Sequence, residues 1–259
     1  MVQLAKLRTV LALTVVLSTI SACAVAPIDH LDYQQQLMLK VGQGDQPLTL
    51  EQVKVILATT RNFTGMNLRF LKLTSLDFSG AVLDKANLYG ADLRGVSLRH
   101  ASLQETDLRE TDLRSADLNK ASLVRADLKA ANLSKANLEK ADLREAKMQR
   151  AMIRSANLRN ADLLKADLDE AILQLADLSD ARLYGATLRG TDLSRATLRG
   201  ANLSLSDLRG AKLQKASSHD ADFREAHLDE ADFTEAHVRD TFNLEAAANG
   251  DAVKGLSFR

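Results

Sequence analysis

A single cysteine, Cys23, serves the whole chain, so no internal disulfide can staple it. Tryptophan is absent and aromatic residues make up only 4%, which rules out a core built on bulky rings. Charge of either sign is in no excess: 34 Lys and Arg balance 34 Asp and Glu. A general nucleic-acid binder is expected to show a basic surplus and aromatic stacking residues, and this chain has neither. No nucleophile and base pair, phosphate-cradling glycine loop or pair of cysteines is found, so nothing points to catalysis or a cofactor. The two prolines, Pro27 and Pro47, both precede residue 61. The apolar run Thr9–Ile20 is too short to span a membrane as a helix.

What the chain has instead is a period of five. From Arg61 to Asp240 an apolar residue returns at every fifth position through 36 pentapeptides, with no insertion or deletion. With the recurring residue called i, the centres run from Phe63 to Val238 and only Ser218 is polar. Position i−2 is Ala in 27 units and i−1 is Asp or Asn in 21. A period this strict is the mark of a solenoid, in which each unit buries its apolar face only against its neighbours.

Five residues fit neither ordinary element. In a helix they advance about 500°, so successive leucines circle the surface instead of forming a stripe. In a straight strand an odd step sends them to alternate faces. A short extended piece followed by a corner does fit: i−2 and i share the inner face, and a bend across i+1 and i+2 brings the next i−2 inside. All eight glycines of the region, Gly65 and Gly210 among them, fall at i+2, where a missing Cβ eases a tight bend or a positive φ. Asx side chains at i−1 are expected to bond the turn backbone.

The units Ala91-Asp92-Leu93-Arg94-Gly95, Ala131-Asn132-Leu133-Ser134-Lys135 and Ala161-Asp162-Leu163-Leu164-Lys165 resemble the A-[DN]-L-x-x repeats of pentapeptide-repeat proteins. The resemblance implies an all-β fold: a right-handed quadrilateral β-helix with four pentapeptides per coil, Ala and Leu inward and the other three positions outward. The period alone leaves the number of sides open. With four, 36 units make 9 coils, and at roughly 4.8 Å between strands the solenoid is about 43 Å long. Its inside is then stacked leucine and alanine without room for a ligand.

The amino terminus reads as a targeting segment. Lys6 and Arg8 precede the apolar run, and Ile20-Ser21-Ala22-Cys23 resembles a bacterial lipobox, which implies cleavage before Cys23, attachment of lipid (palmitate) to Cys23 and a place in the cell envelope. Ala24 resembles the outer-membrane sorting class, facing the periplasm. The organisation expected is a signal peptide at 1–22, a lipid-anchored tether and helical cap at 23–60, the β-helix at 61–240 and a C-terminal cap or tail at 241–259. Leu31–Val41 is a candidate helix. Thr49 is placed to N-cap a second one, Leu50 to Ala58, with Val53, Ile56 and Leu57 on one face as a plug for the first coil. Phe242, Leu244, Leu256 and Phe258 supply apolar side chains to cover the last coil or to pair two copies end to end as a homodimer.

Candidate sites are few. The i−1 carboxylates recur as turn residues. His219, His237, Asp220 and Asp240 come together on one side of a four-sided coil, but adjacent surface residues, not a metal site, are expected. Charge is banded along the chain: residues 181–215 hold seven Lys or Arg against Asp192 and Asp207, and acids dominate 161–180 and 221–245. Stepping by the 20 residues that the resemblance implies, Val124, Leu164 and Tyr184 fall in one i+1 column with Leu205 beside it, a candidate contact face for a protein partner. The reading is a non-enzymatic, lipid-anchored module for protein binding or spacing, with a membrane contact through Cys23 and no nucleic acid, metal or cofactor. Its alternative is a cytoplasmic, DNA-mimicking topoisomerase-binding protein.

Overall fold

In the computed structural model the chain divides into Met1–Met38 and Leu39–Arg259, and the residues described, 46–241 and 253–255, all belong to the second unit. The leader, Cys23, the tether, the helix expected at Leu31–Val41 and the four apolar tail residues lie outside the described residues.

The pentapeptides close into a β-helix whose register is 20. Parallel bridges join each i−1 residue to the one 20 positions on, beginning with Asn62 to Val82 and ending with Ser217 to His237. Four units therefore make one coil, which supplies the number of sides that the period leaves open. We number the faces by their first unit. Face 1 holds the units centred on Phe63, Leu83 and onward, face 2 those on Leu68 and Leu88, face 3 those on Leu73 and Leu93, and face 4 those on Phe78 and Leu98.

One unit shows how the backbone is satisfied. Ala131 N–H donates to Leu128 O at 3.0 Å across the corner. Asn132 N–H donates to Thr111 O of the coil before at 2.9 Å, and Leu133 N–H to Met152 O of the coil after at 2.7 Å. Lys135 N–H reaches Arg154 O at 2.8 Å. The remaining donor, Ser134 N–H, is taken by the Asn132 side-chain oxygen at 3.1 Å. All five donors thus have partners, and the Asx residue at i−1 is frequent because it accepts the one N–H that the ladder does not reach.

Every i+2 residue of the 36 units, glycine or not, has a positive φ, from 53° at Ser155 to 68° at Ser75. For an L-residue this left-handed conformation costs about 1–2 kcal/mol, and for a β-branched one more. The sequence respects that limit, because no Val, Ile or Thr stands at any i+2 position.

Inside, the i and i−2 side chains are stacked and sealed: Leu133, Leu138, Ala131 and Ala136 are all buried. Among the described residues rings enter the core only near its two ends, where Phe63 lies 5.5 Å from Phe78 and Phe223 lies 6.0 Å from Phe233. Four i−2 positions carry buried hydroxyls in place of Ala, and each finds a carbonyl: Thr106 to Leu83 O, Thr111 to Leu108 O, Thr191 to Leu168 O and Ser206 to Leu203 O.

Both ends of the ladder meet substitutes for a missing coil. Helix α1, Leu50–Ala58, starts at Thr49 with a reciprocal Thr49–Gln52 capping box and buries Val53 and Ile56, as the spacing predicts. Before it, Leu48 stands 20 residues ahead of Leu68, is buried, and donates its N–H to Asn67 O at 2.8 Å, so the register extends one unit further than the period reveals. Pro47 precedes it at an edge where no earlier coil asks for an N–H. On face 4 the Arg61 guanidinium donates to Asp77 O and Ser79 O, both at 2.8 Å, in place of the two backbone donors of an absent coil. At the other end Lys254 bridges Asp232, with Phe233 N–H to Lys254 O at 2.8 Å and Lys254 N–H to Ala231 O at 2.9 Å. The next residue, Gly255, has φ 79°, and a Cβ there would sit 2.5 Å from the Thr234 backbone.

The corner makes a sharp prediction at Ala130, an i+2 residue with φ 56°. Ala130→Val loses at least about 1 kcal/mol of stability in denaturant titration, while Ala130→Gly loses none, because relief of the left-handed strain offsets the added freedom of the unfolded chain. Equal losses for the two variants would show that the corner is not strained.

Candidate interaction faces

With the interior filled, the chemistry available to the described residues lies on the outer faces, where three of every five side chains project. The regular motif there is an Asp at i−1 bound by an Arg at i+1. Arg94 to Asp92 at 2.7 Å, Arg114 to Asp112 at 2.6 Å, Arg209 to Asp207 at 2.6 Å and Arg224 to Asp222 at 2.6 Å all follow it. In these four the guanidinium holds the carboxyl below its ordinary range, helped by the arginine's own backbone N–H and opposed by partial burial. The Asp oxygen that accepts the turn N–H is therefore also fixed by a charge, and the pair stiffens the corner rather than offering a reactive acid.

Among the described residues no group of three or more His, Cys, Asp and Glu is arranged to hold a metal ion. His219 lies with its Nδ1 3.0 Å from the Ser217 hydroxyl on face 4. The Ser218 carbonyl, at the one polar centre, accepts from the Thr241 hydroxyl at 2.9 Å. A shallow open depression of about 410 Å³ on face 2 is lined by Lys129, Ala130, Gln149, Arg150, Asp169 and Glu170, where the small Ala130 stands among long side chains.

The four residues singled out from the sequence fall on face 1 with differing exposure. Val124 and Leu164 are half-buried, whereas Tyr184 is 39% and Leu205 44% exposed. Leu164 and Tyr184 stand on neighbouring coils, joined by Lys165 N–H to Tyr184 O at 3.0 Å. Val124 is set apart from them, because the intervening coil puts Arg144, bound to Asp142 at 2.6 Å, in the same column.

Two further groups escaped the sequence reading. On face 2 the Phe70 ring is 66% exposed and packs edge-on against Tyr89 at 5.3 Å, and the Arg109 guanidinium lies 5.4 Å from the Tyr89 ring centre. On face 3 Met152, 39% exposed, is bridged directly to the half-buried Ile172, and Leu175, 57% exposed, stands on the corner that follows Ile172. The signal was present as departures from the repeat: apolar Met152 and Ile172 where Asx is usual, and Phe70 and Leu175, which with Leu205 are the large apolar residues at i+2, a position mostly small or charged.

Comparison with known proteins agrees with this geometry. The family model for pentapeptide repeats matches the chain in 8 copies that together run from residue 62 to 240. No curated protein matches the chain. Among solved structures, HetL, a pentapeptide repeat protein involved in heterocyst differentiation regulation in the cyanobacterium Nostoc, is 34% identical, with 75% of this chain and 94% of HetL covered and a TM-score of 0.47. A trypsin-treated form of QnrB1, a plasmid-mediated fluoroquinolone resistance protein, is 18% identical over 69% of this chain and 82% of its own, with a TM-score of 0.53, a likeness of fold.

The Asp–Arg corners set an acid limit. Their folded-state carboxyl values are depressed, so their contribution to stability is fully present above the unfolded value near 3.9 and is lost as pH falls below it through the folded values. Denaturation midpoints followed down to about pH 2 drop in that window. Asp112→Asn with Asp207→Asn keeps the turn acceptor but not the titration, and its midpoint declines less steeply. A decline as steep as that of the unaltered chain would show that these carboxyls are not depressed by folding.

Proposed function

The chain belongs to the pentapeptide-repeat family, and we propose that it acts as a non-enzymatic, lipid-anchored solenoid of the bacterial cell envelope that binds or spaces another protein through an outer face. The observation that carries this reading is the sealed interior: with Leu at i and Ala at i−2 buried from coil to coil, recognition is left to the surface. On face 1, Tyr184 and Leu205 are exposed beside Leu164, and tyrosine is among the residues that dominate binding energy at protein interfaces.

In this reading residues 1–22 are removed, Cys23 carries the lipid and 23–45 tether the chain at the outer membrane on its periplasmic side. Residues 46–60 close the first coil, with α1 as its cap, residues 61–240 form the solenoid in the right-handed sense that the family implies, and 241–259 close or pair its far end. What supports the anchor is the run Ile20-Ser21-Ala22-Cys23 together with the fact that the chain has no other cysteine. More than one acyl chain on Cys23 would give stable anchoring.

Two measurements in the living cell test the parts separately. Labelled palmitate enters the unaltered protein and not Cys23→Ser; an unlabelled wild-type protein would remove the anchor from the account. A photoreactive phenylalanine analogue at Tyr184 yields a discrete protein adduct on irradiation, and the same analogue at Arg99 on face 4 yields none. Adducts at Arg99 alone would place recognition on another face.

A further inference from the structure

Charge sorted by face shows an asymmetry that the bands along the chain conceal. The five coils from Ala121 to Asp220 contain 17 Lys and Arg and 13 Asp and Glu. Face 3 holds five of the cations, Lys135, Arg154, Arg195, Lys212 and Lys215, and one of the carboxylates, Asp192, a balance of +4. Over the same coils the balance is +1 on face 1, 0 on face 2 and −1 on face 4. Over the same coils on faces 1, 2 and 4, Arg144 and Arg209 are tied to an Asp two residues before them, and Arg159 and Arg189 to an Asp of a neighbouring coil. Among the described residues Lys135, Arg154 and Arg195 form no salt bridge: Met152 stands where the partner Asp of Arg154 would, the unit of Lys135 holds no carboxylate, and Asp192 is taken up by Gln174 and Ser194. Lys215 alone pairs, with Glu235 at 3.4 Å.

These cations surround the exposed apolar group. Arg154 shares a unit with Met152, Ile172 is bridged to Met152, Leu175 follows in the Ile172 unit, and Arg195 occupies the same corner position one coil beyond Leu175. The face is built of parallel strands, so Lys135, Arg154 and Arg195 stand on coils roughly 4.8 Å apart or a small multiple of it, and Met152, Ile172 and Leu175 lie among them beside the polar Ser155 and Gln174.

We infer that face 3 is a contact surface for an anionic phospholipid bilayer, with Met152, Ile172 and Leu175 set at the headgroup boundary and Lys135, Arg154, Arg195 and Lys212 over the phosphates. Charge complementarity selects the occupant: cations spread across several coils with apolar side chains between them suit a sheet of phosphates over acyl chains, and each cation near such a surface adds to the attraction. The inference rests on the lipid-anchored reading for bringing the bilayer near. The 23 residues from Cys23 to Asp45 can span at most about 80 Å, more than enough for the solenoid to lie along the membrane.

The test uses the full chain with Cys23→Ser, so that it does not depend on lipid attachment and an introduced cysteine is the only one. An environment-sensitive fluorophore is placed by Leu175→Cys on face 3 or, as control, by Leu205→Cys on face 1. Vesicles are of equal parts phosphatidylglycerol and phosphatidylethanolamine, or of phosphatidylcholine alone. The label at 175 shifts to the blue on the anionic vesicles only, the label at 205 does not, and added salt reverses the shift. Arg154→Glu with Arg195→Glu weakens partitioning to anionic vesicles by about tenfold or more while its melting curve stays close to that of the parent. The inference is overturned if the two labels respond alike, if position 175 ignores lipid charge, or if the charge reversal has no effect. A label at 175 that ignores both vesicles and responds to polyglutamate would assign the face to an acidic protein instead. None of these outcomes touches the palmitate measurement, which judges the anchor by itself.

Discussion

A left-handed corner at every fifth residue is the constraint on which the rest of this structure depends. Five residues of extended chain would carry successive leucines to opposite faces; a positive φ at i+2 turns the chain so that the next i−2 and i point inward again. Once the corner is fixed, four units return the chain beneath its starting point and the ladder can close at 20. The corner is unfavourable by itself for the non-glycine residues that occupy it, and is held because the ladder and the buried leucines over-determine it. Its demands propagate outward. They exclude β-branched residues at i+2, and they leave at i+1 a turn N–H that the ladder does not reach, which a carboxylate or amide at i−1 accepts.

Much of this was legible in the chain. The period, the inward and outward positions, the turn role of the Asx residues and helix α1 with Thr49 at its N-cap all follow from patterns within a few residues of one another. The number of sides did not, because residues 20 apart are brought together by the accumulated rotation of four corners, which no local pattern encodes. Three end features were hidden for a related reason. Leu48 keeps the register without a repeat around it, Arg61 acts through its side chain in place of a strand, and Lys254 pairs with Asp232 at an offset of 22, outside the period. The candidate contact residues divide along the same line. Tyr184 and Leu164 are neighbours once 20 is known, but the column from Val124 is broken by the ion-paired Arg144, and Met152 with Ile172 becomes a patch only when the two strands are laid side by side.

The surface therefore differs in kind from the core. Inside, most levels take Leu at i and Ala at i−2, and the sequence has little freedom. Outside, three positions in five are released from packing, and the departures from the repeat accumulate there as an apolar step on face 1, an aromatic cluster with Arg109 on face 2 and a cationic, partly apolar face 3. A solenoid of this kind separates stability from recognition. Substitutions at i−1, i+1 and i+2 can redraw a face without disturbing the leucine stack, provided the corner and its N–H partner are kept.

The register of 20 is the claim from which the four faces and every column are drawn, and it can be measured directly. Asn137 and Asn157 are bridge-linked on face 4, with the Asn157 side-chain nitrogen 3.1 Å from the Asn137 side-chain oxygen. In the Cys23→Ser chain, Asn137→Cys with Asn157→Cys should form a disulfide rapidly on mild oxidation, since adjacent parallel strands hold the Cα atoms within the range of about 4.4–6.8 Å that a disulfide requires. Asn137→Cys with Asp162→Cys, five residues further on and around a corner on the next face, should not. Cross-linking of the second pair in preference to the first would mean that a coil has a different number of sides, and the assignment of residues to faces would fall with it.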